Sequence, residues 1–166
     1  MLRRIVACFF LLVIAPPAGW ADAVSDCTAN GPLDIRLNAC TRLIELEPNN
    51  ATGYENRAFV YMARGDQGRA IADYTKAIEI NPNNPDAYNR RGSSYSFKGD
   101  NQRAIADFDR VIALNPNYAP GYFNRGSVYE NMGDKQRAIA DYQMSLKINP
   151  GSTSARKALS RLGAAP

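Results

Sequence analysis

The run GDQGRAIADYTKAIEINPNN, from Gly65 to Asn84, returns as GDNQRAIADFDRVIALNPNY at Gly99 and as GDKQRAIADYQMSLKINPGS at Gly133, each time 34 residues on. A fixed period of this size leaves few folds open. Each unit has to be one small supersecondary element that cannot bury its own apolar face, so units stack and share a continuous core.

Aligning the period brings out columns that read as helix and turn. Tyr54, Ala58 and Tyr61 stand at i, i+4 and i+7, as do Tyr88, Gly92, Tyr95 and Tyr122, Gly126, Tyr129, which places each set on one helix face. A glycine column (Gly31, Gly65, Gly99, Gly133) ends that helix, glycine accepting a left-handed cap without a Cβ clash. A second helix runs from Arg69 to Ile80 with Ala70, Ile71, Tyr74, Ala77 and Ile78 inward; Ala70 recurs as Ala104 and Ala138. The prolines Pro48, Pro82, Pro116 and Pro150 close the units, because the residue before a proline avoids helical backbone. The small residues stand where two antiparallel helices must come close.

This pattern resembles the tetratricopeptide repeat (TPR), a 34-residue helix–turn–helix with an early aromatic, a small-residue column, an alanine opening the second helix and a terminal proline. The resemblance implies an all-α fold, a right-handed superhelical solenoid of antiparallel helix hairpins. Three full units are expected over 51–84, 85–118 and 119–152, with a truncated unit over 24–50 before them. Residues 153–166 are expected to form a solvating helix and tail, in which Ser152 to Ser154 cap a face of Ala155, Ala158, Leu159 and Leu162.

The beginning of the chain reads differently. MLRR is followed by eleven apolar residues, Ile5 to Ala15, and then by PPAGWADA with small residues at Gly19, Ala21 and Ala23. That layout is a secretory leader, expected over 1–21 and cut after Ala21 or Ala23. The apolar run is too short to cross a bilayer, which takes about 20 residues. The protein is therefore expected outside the cytoplasm, in the periplasm if the source is Gram-negative and otherwise secreted. Losing Arg3 and Arg4 with the leader lowers the net charge from +4 to +2, with both signs interspersed, so nucleic acid is not an expected partner.

Two cysteines remain after such a cut. Projected by one period, Tyr61 falls on Cys27 and Tyr74 on Cys40, two columns that face each other across a hairpin. In an oxidising compartment that juxtaposition predicts a Cys27–Cys40 disulfide.

Chemistry is harder to find than architecture. The chain has no histidine, which removes the commonest general base and metal ligand. No carboxylate pair or thiol–base pair is recognisable, so neither an enzyme nor a cofactor or metal site is expected. TPR arrays generally bind other proteins, and the resemblance implies a peptide or helix lying in the groove lined by the first helix of each unit. Carrying the groove columns over gives Glu55, Asn56, Phe59, Met62 and Ala63; Asn89, Arg90, Ser93, Ser96 and Phe97; and Phe123, Asn124, Ser127, Glu130 and Asn131. The asparagines suit hydrogen bonds to a partner backbone, and Phe59, Phe97 and Phe123 suit its side chains. One known groove of the family clamps a terminal carboxylate with lysines, asparagines and an arginine; here the lysines are missing and Arg90 is the groove cation. An alternative function is a structural or self-associating subunit of a cell-envelope assembly.

Arginines recur in two registers. Arg57, Arg91 and Arg125 admit two readings, a packed structural column with heads at the surface or a rail for an acidic partner. Arg69–Asp73, Arg103–Asp107 and Arg137–Asp141, spaced i, i+4, are expected to be exposed ion pairs.

Overall fold

A computed structural model describes residues 19–165. The leader expected over 1–21 thus lies outside the described residues except for its last three. All regular structure among the described residues is helical: α1 (Trp20–Thr28), α2 (Leu33–Leu46), α3 (Ala51–Ala63), α4 (Gln67–Ile80), α5 (Pro85–Phe97), α6 (Asn101–Leu114), α7 (Ala119–Asn131), α8 (Lys135–Ile148) and α9 (Thr153–Arg161). The helices pair as α1–α2, α3–α4, α5–α6 and α7–α8, and each pair packs on the next through α2–α3, α4–α5 and α6–α7. The stack is the expected solenoid.

The turn inside each full hairpin is set by two adjacent residues. Gly65, Gly99 and Gly133 adopt φ of 79°, 78° and 81°, where a Cβ would be strained. Asp66, Asp100 and Asp134 then cap the second helix by accepting from the backbone N–H of Arg69, Arg103 and Arg137. The first hairpin departs from this. Gly31 has no positive φ, and Pro32 stands at the cap position without a side-chain acceptor. The glycine column therefore carries its turn role in three units, not four.

Close approach explains the small-residue column. A Cβ on Gly92 would come within 2.9 Å of Phe108 Cε1, and one on Gly126 within 3.1 Å of Asp141 Cβ and of the Tyr142 ring. Tyr74, Phe108 and Tyr142, all but fully buried, fill the space that this contact leaves.

The two arginine registers are exchanged relative to the sequence expectation. Asp73, Asp107 and Asp141 are only 7%, 5% and 6% exposed, and none pairs with the arginine four residues before it. Each instead receives a bidentate pair from the arginine 16 residues earlier, on the facing helix: Arg57 at 2.7 and 2.9 Å, Arg91 at 2.9 and 2.7 Å, Arg125 at 2.8 and 2.7 Å. The cause is the helix period. Ala70, Asp73, Tyr74 and Ala77 share the buried stripe, whereas Arg69 points outward and binds the Asp66 cap. Arg103 and Arg137 do the same with Asp100 and Asp134.

Each inward guanidinium also reaches the preceding hairpin, Arg57 to Thr41, Arg91 to Thr75 and Arg125 to Asp109. It packs on the tyrosine three residues before it, with Arg91 5.6 Å from the Tyr88 ring centre. One side chain thus ties three helices. The heads are inside the array, so the column is structural and does not form a surface rail. Hydrogen bonds to the buried carboxylates raise the pKa of Arg57, Arg91 and Arg125 further above its already high value.

The two ends differ. At the C-terminus α9, capped by Ser152, lays Ala155, Ala158 and Leu159 onto α8, and Arg161 grips Glu130 with two contacts of 2.7 Å. At the N-terminus α1 begins at Trp20, whose indole N–H donates to Glu47 and whose ring packs on a cluster of Ala23, Cys27, Ala39, Cys40 and Leu43. Cys27 and Cys40 are fully buried, with Cα atoms 4.7 Å apart.

Candidate functional site

The first helices of the units, α3, α5 and α7, carry the candidate groove residues side by side because the same helix positions recur every unit. The side chains do not form one uniform trough. They divide into two basins.

The first, of about 400 Å³, is lined by Glu55, Asn56 and Phe59 of α3 and Asp86 and Arg90 of α5. Thr28, Asn30 and Arg36 from the first hairpin complete it. Asn84 Nδ2 donates to Glu55 Oε1 at 2.8 Å, and the Tyr118 hydroxyl donates to Asp86. Burial pushes the Glu55 carboxyl above the usual carboxylate range, with Asn84 and Arg90 opposing. The Phe59 ring carries two guanidinium groups, Arg36 at 5.2 Å and Arg90 at 5.3 Å from its centre.

The second basin, of about 350 Å³, is lined by Ser93, Ser96 and Phe97 of α5 and by Asn124, Ser127 and Asn131 of α7, over the buried Phe108. Phe97 is 76% exposed. In the wall of this basin, Asn124 Nδ2 donates to Asn89 Oδ1 at 2.9 Å.

Four of the expected groove positions lie elsewhere. Met62 packs on Ala58, Ala70 and Tyr74, and Ala63 lines neither basin. Phe123 joins the cluster around Tyr129 and Tyr142, its ring centre 5.4 Å from that of Tyr142. Glu130 is taken by Arg161 and by the Tyr142 hydroxyl, which donates to it at 2.6 Å. The three phenylalanines are therefore unlike: Phe97 is free, Phe59 is covered by cations, and Phe123 is packed.

Sequence reasoning missed Arg36, Thr28, Asn30, Asp86 and Phe108 as lining residues. Arg36 did leave a signal, since it stands one period before Ala70, where an arginine cannot fill an alanine's place.

Comparison with known proteins fits this architecture. Family models described as "TPR repeat" and "Tetratricopeptide repeat" match residues 60–96 and 93–163. No curated protein sequence matches the chain closely enough to count as a relative. Among solved structures, one of MamA is 29% identical over 78% of this chain and 76% of its own, with a TM-score of 0.74. The first TPR of Spaghetti (RPAP3), bound to the HSP90 peptide SRMEEVD, is 26% identical over 68% of this chain and 90% of its own, with a TM-score of 0.66. A tetratricopeptide repeat protein from Parabacteroides merdae shares the fold at 21% identity, covering 87% of this chain and 59% of its own, with a TM-score of 0.77.

Proposed function

From the tetratricopeptide repeats found over residues 60–163, we propose that the chain is a non-catalytic adaptor or scaffold holding a peptide or helix of a partner protein across its first helices. The observation that carries this reading is Phe97. A phenylalanine 76% exposed, beside a basin of serine hydroxyls and asparagine amides, combines an apolar anchor with groups that satisfy an extended backbone. The bound peptide of the RPAP3 structure is a precedent for such use of the fold.

Phe97→Ala is expected to weaken partner binding about thirtyfold, the equivalent of roughly 2 kcal/mol for an aromatic anchor, and to leave the melting temperature unchanged. Phe123→Ala provides the contrast: with its ring against Tyr142, it should cost roughly 2 kcal/mol of stability, less than the 3–5 of a fully buried phenylalanine. Titration calorimetry and thermal melts on both variants separate the two roles. Unaltered binding by folded Phe97→Ala would refute the groove reading.

The reading extends to export and to a bond between the facing Cys27 and Cys40 side chains. Cleavage after Ala21 or Ala23 removes Trp20, the one tryptophan of the chain. Protein recovered from outside the cytoplasm should therefore lack tryptophan emission and show the shortened intact mass. Retention of Trp20 in that fraction would rule out both cleavage positions.

A further inference from the structure

The second helix of a full unit opens on Asn-Gln in α6 and on Lys-Gln in α8, but on Gln-Gly in α4. Gly68 thus omits the side chain that Gln102 and Gln136 carry. A Cβ on it would meet nothing closer than Asp66 Oδ1, at 3.6 Å. Beside it Gln67 is only 8% exposed, whereas Asn101 is half-buried and Lys135 exposed at the same position. The omission leaves a basin of about 540 Å³ at the hairpin turns. Its walls are Arg64, Asp66, Gln67 and Gly68 from one unit and Phe97 and Lys98 from the next. The basin lies outside the groove. Phe97 alone lines both it and the second groove basin, so the two share one exposed ring.

The buried Gln67 Oε1 has no hydrogen-bond partner. A buried acceptor without a donor costs free energy, and this one lies in the wall of an open basin. The charges around it narrow the donor it calls for. An anion would meet two acceptors, Gln67 Oε1 and the Asp66 carboxylate. A cation would meet Arg64 and also Lys98, which makes no ion pair among the described residues. What remains is a neutral donor carried on an apolar body. Phe97, 76% exposed, and the Lys98 ammonium both favour an aromatic body, the first through ring–ring contact and the second through attraction to a π-face. A phenol would bring an acceptor oxygen of its own, whereas an indole N–H only donates.

We propose that this turn-side basin receives a tryptophan side chain of the partner segment, its ring against Phe97 and its indole N–H donating to Gln67 Oε1. The proposal rests on the groove reading above, in which Phe97 is the anchor. It adds a path and a side chain: the segment crosses the Phe97 ring from the groove to the turn edge and places an indole there.

The test uses the full chain, immobilised, and three random heptapeptide libraries, all acetylated and amidated. Tryptophan, 1-methyltryptophan or leucine is fixed at the centre; the methyl group removes the N–H donor and keeps the ring. Retention of the tryptophan library about fivefold above its methylated match, the equivalent of one hydrogen bond to a neutral acceptor, supports the assignment. Gln67→Leu removes the acceptor, and Gly68→Gln places a side chain at the opening. Both should abolish the preference while keeping or raising the melting temperature, because one removes an unsatisfied buried group and the other a helix glycine. A preference that survives in either variant overturns the assignment, as does equal retention of the tryptophan and 1-methyltryptophan libraries. Equal retention of all three libraries, lost in Phe97→Ala, overturns the indole proposal and leaves the groove reading standing. No retention of any library overturns both.

Discussion

Asp107→Ala is expected to destabilise the array by about 4 kcal/mol, the loss found when one partner of a buried, hydrogen-bonded ion pair is removed. In a chain of this size that lowers the melting temperature by roughly 10 °C or more. Among the described residues Asp107 is the sole carboxylate paired with Arg91, at 2.9 and 2.7 Å, and after its removal the guanidinium keeps Thr75 Oγ1 at 3.1 Å and two tyrosine faces. The cost is amplified by position. Arg91 links α5, α6 and α4, so its loss loosens the central hairpin and its seam with the preceding one, and stability in such arrays depends on nearest-neighbour seams. Arg91→Met combined with Asp107→Leu should recover most of the loss, since an apolar pair of similar volume needs no compensation. Arg103→Ala is the control. Its partner is the cap Asp100 at the surface, and exposed pairs of this kind, screened by solvent, contribute little to stability. If Arg103→Ala were the more damaging change, the pairing read from simple i, i+4 spacing would be right and the cross-hairpin pairing wrong.

That contrast shows what the sequence could convey. The period, the helix faces, the glycine turns and the terminal prolines were readable because each depends on backbone chemistry that local residues dictate. The ion pairs were not readable from spacing alone. Asp73 is equally four residues from Arg69 and on the buried stripe with Ala70 and Tyr74, and only the facing helix decides between them. The groove was legible at the level of helix positions and failed at the level of side chains. Phe97 and Phe123 both lie on first helices, yet Phe123 finds Tyr142 across its hairpin while Phe97 has no such neighbour. Arg36 illustrates the opposite case. A residue that breaks its column is informative when the column is known, and Arg36 lines the groove basin whose wall includes the first hairpin.

Cys40→Ser is expected to remove about 3 kcal/mol from the first hairpin, the chain-entropy value for a bond that closes a loop between residues 13 apart. The hairpin has little else to spend. Its α1 has nine residues against thirteen in α3, α5 and α7, and its turn lacks both the left-handed glycine and the aspartate cap of the full units. Its cluster contains small residues around Leu43, with Trp20 and Val24 at the edge, and the proposed processing after Ala21 or Ala23 would take Trp20 away. A short hairpin with a thin core is where a covalent staple has the greatest relative effect. The loss should be local, because an end unit of a stacked array can fray without melting its neighbours. Hydrogen exchange is therefore the suitable readout: amides of α1 and α2 should lose protection in Cys40→Ser, while those of α5 to α8 keep theirs. Fraying would also carry Arg36 away from Phe59 and open the N-terminal basin. Thiol titration decides the premise. Protein prepared under oxidising conditions should titrate no free thiol from Cys27 or Cys40 until it is reduced; two reactive thiols in the oxidised, denatured protein would mean that the facing cysteines are simply a packed pair.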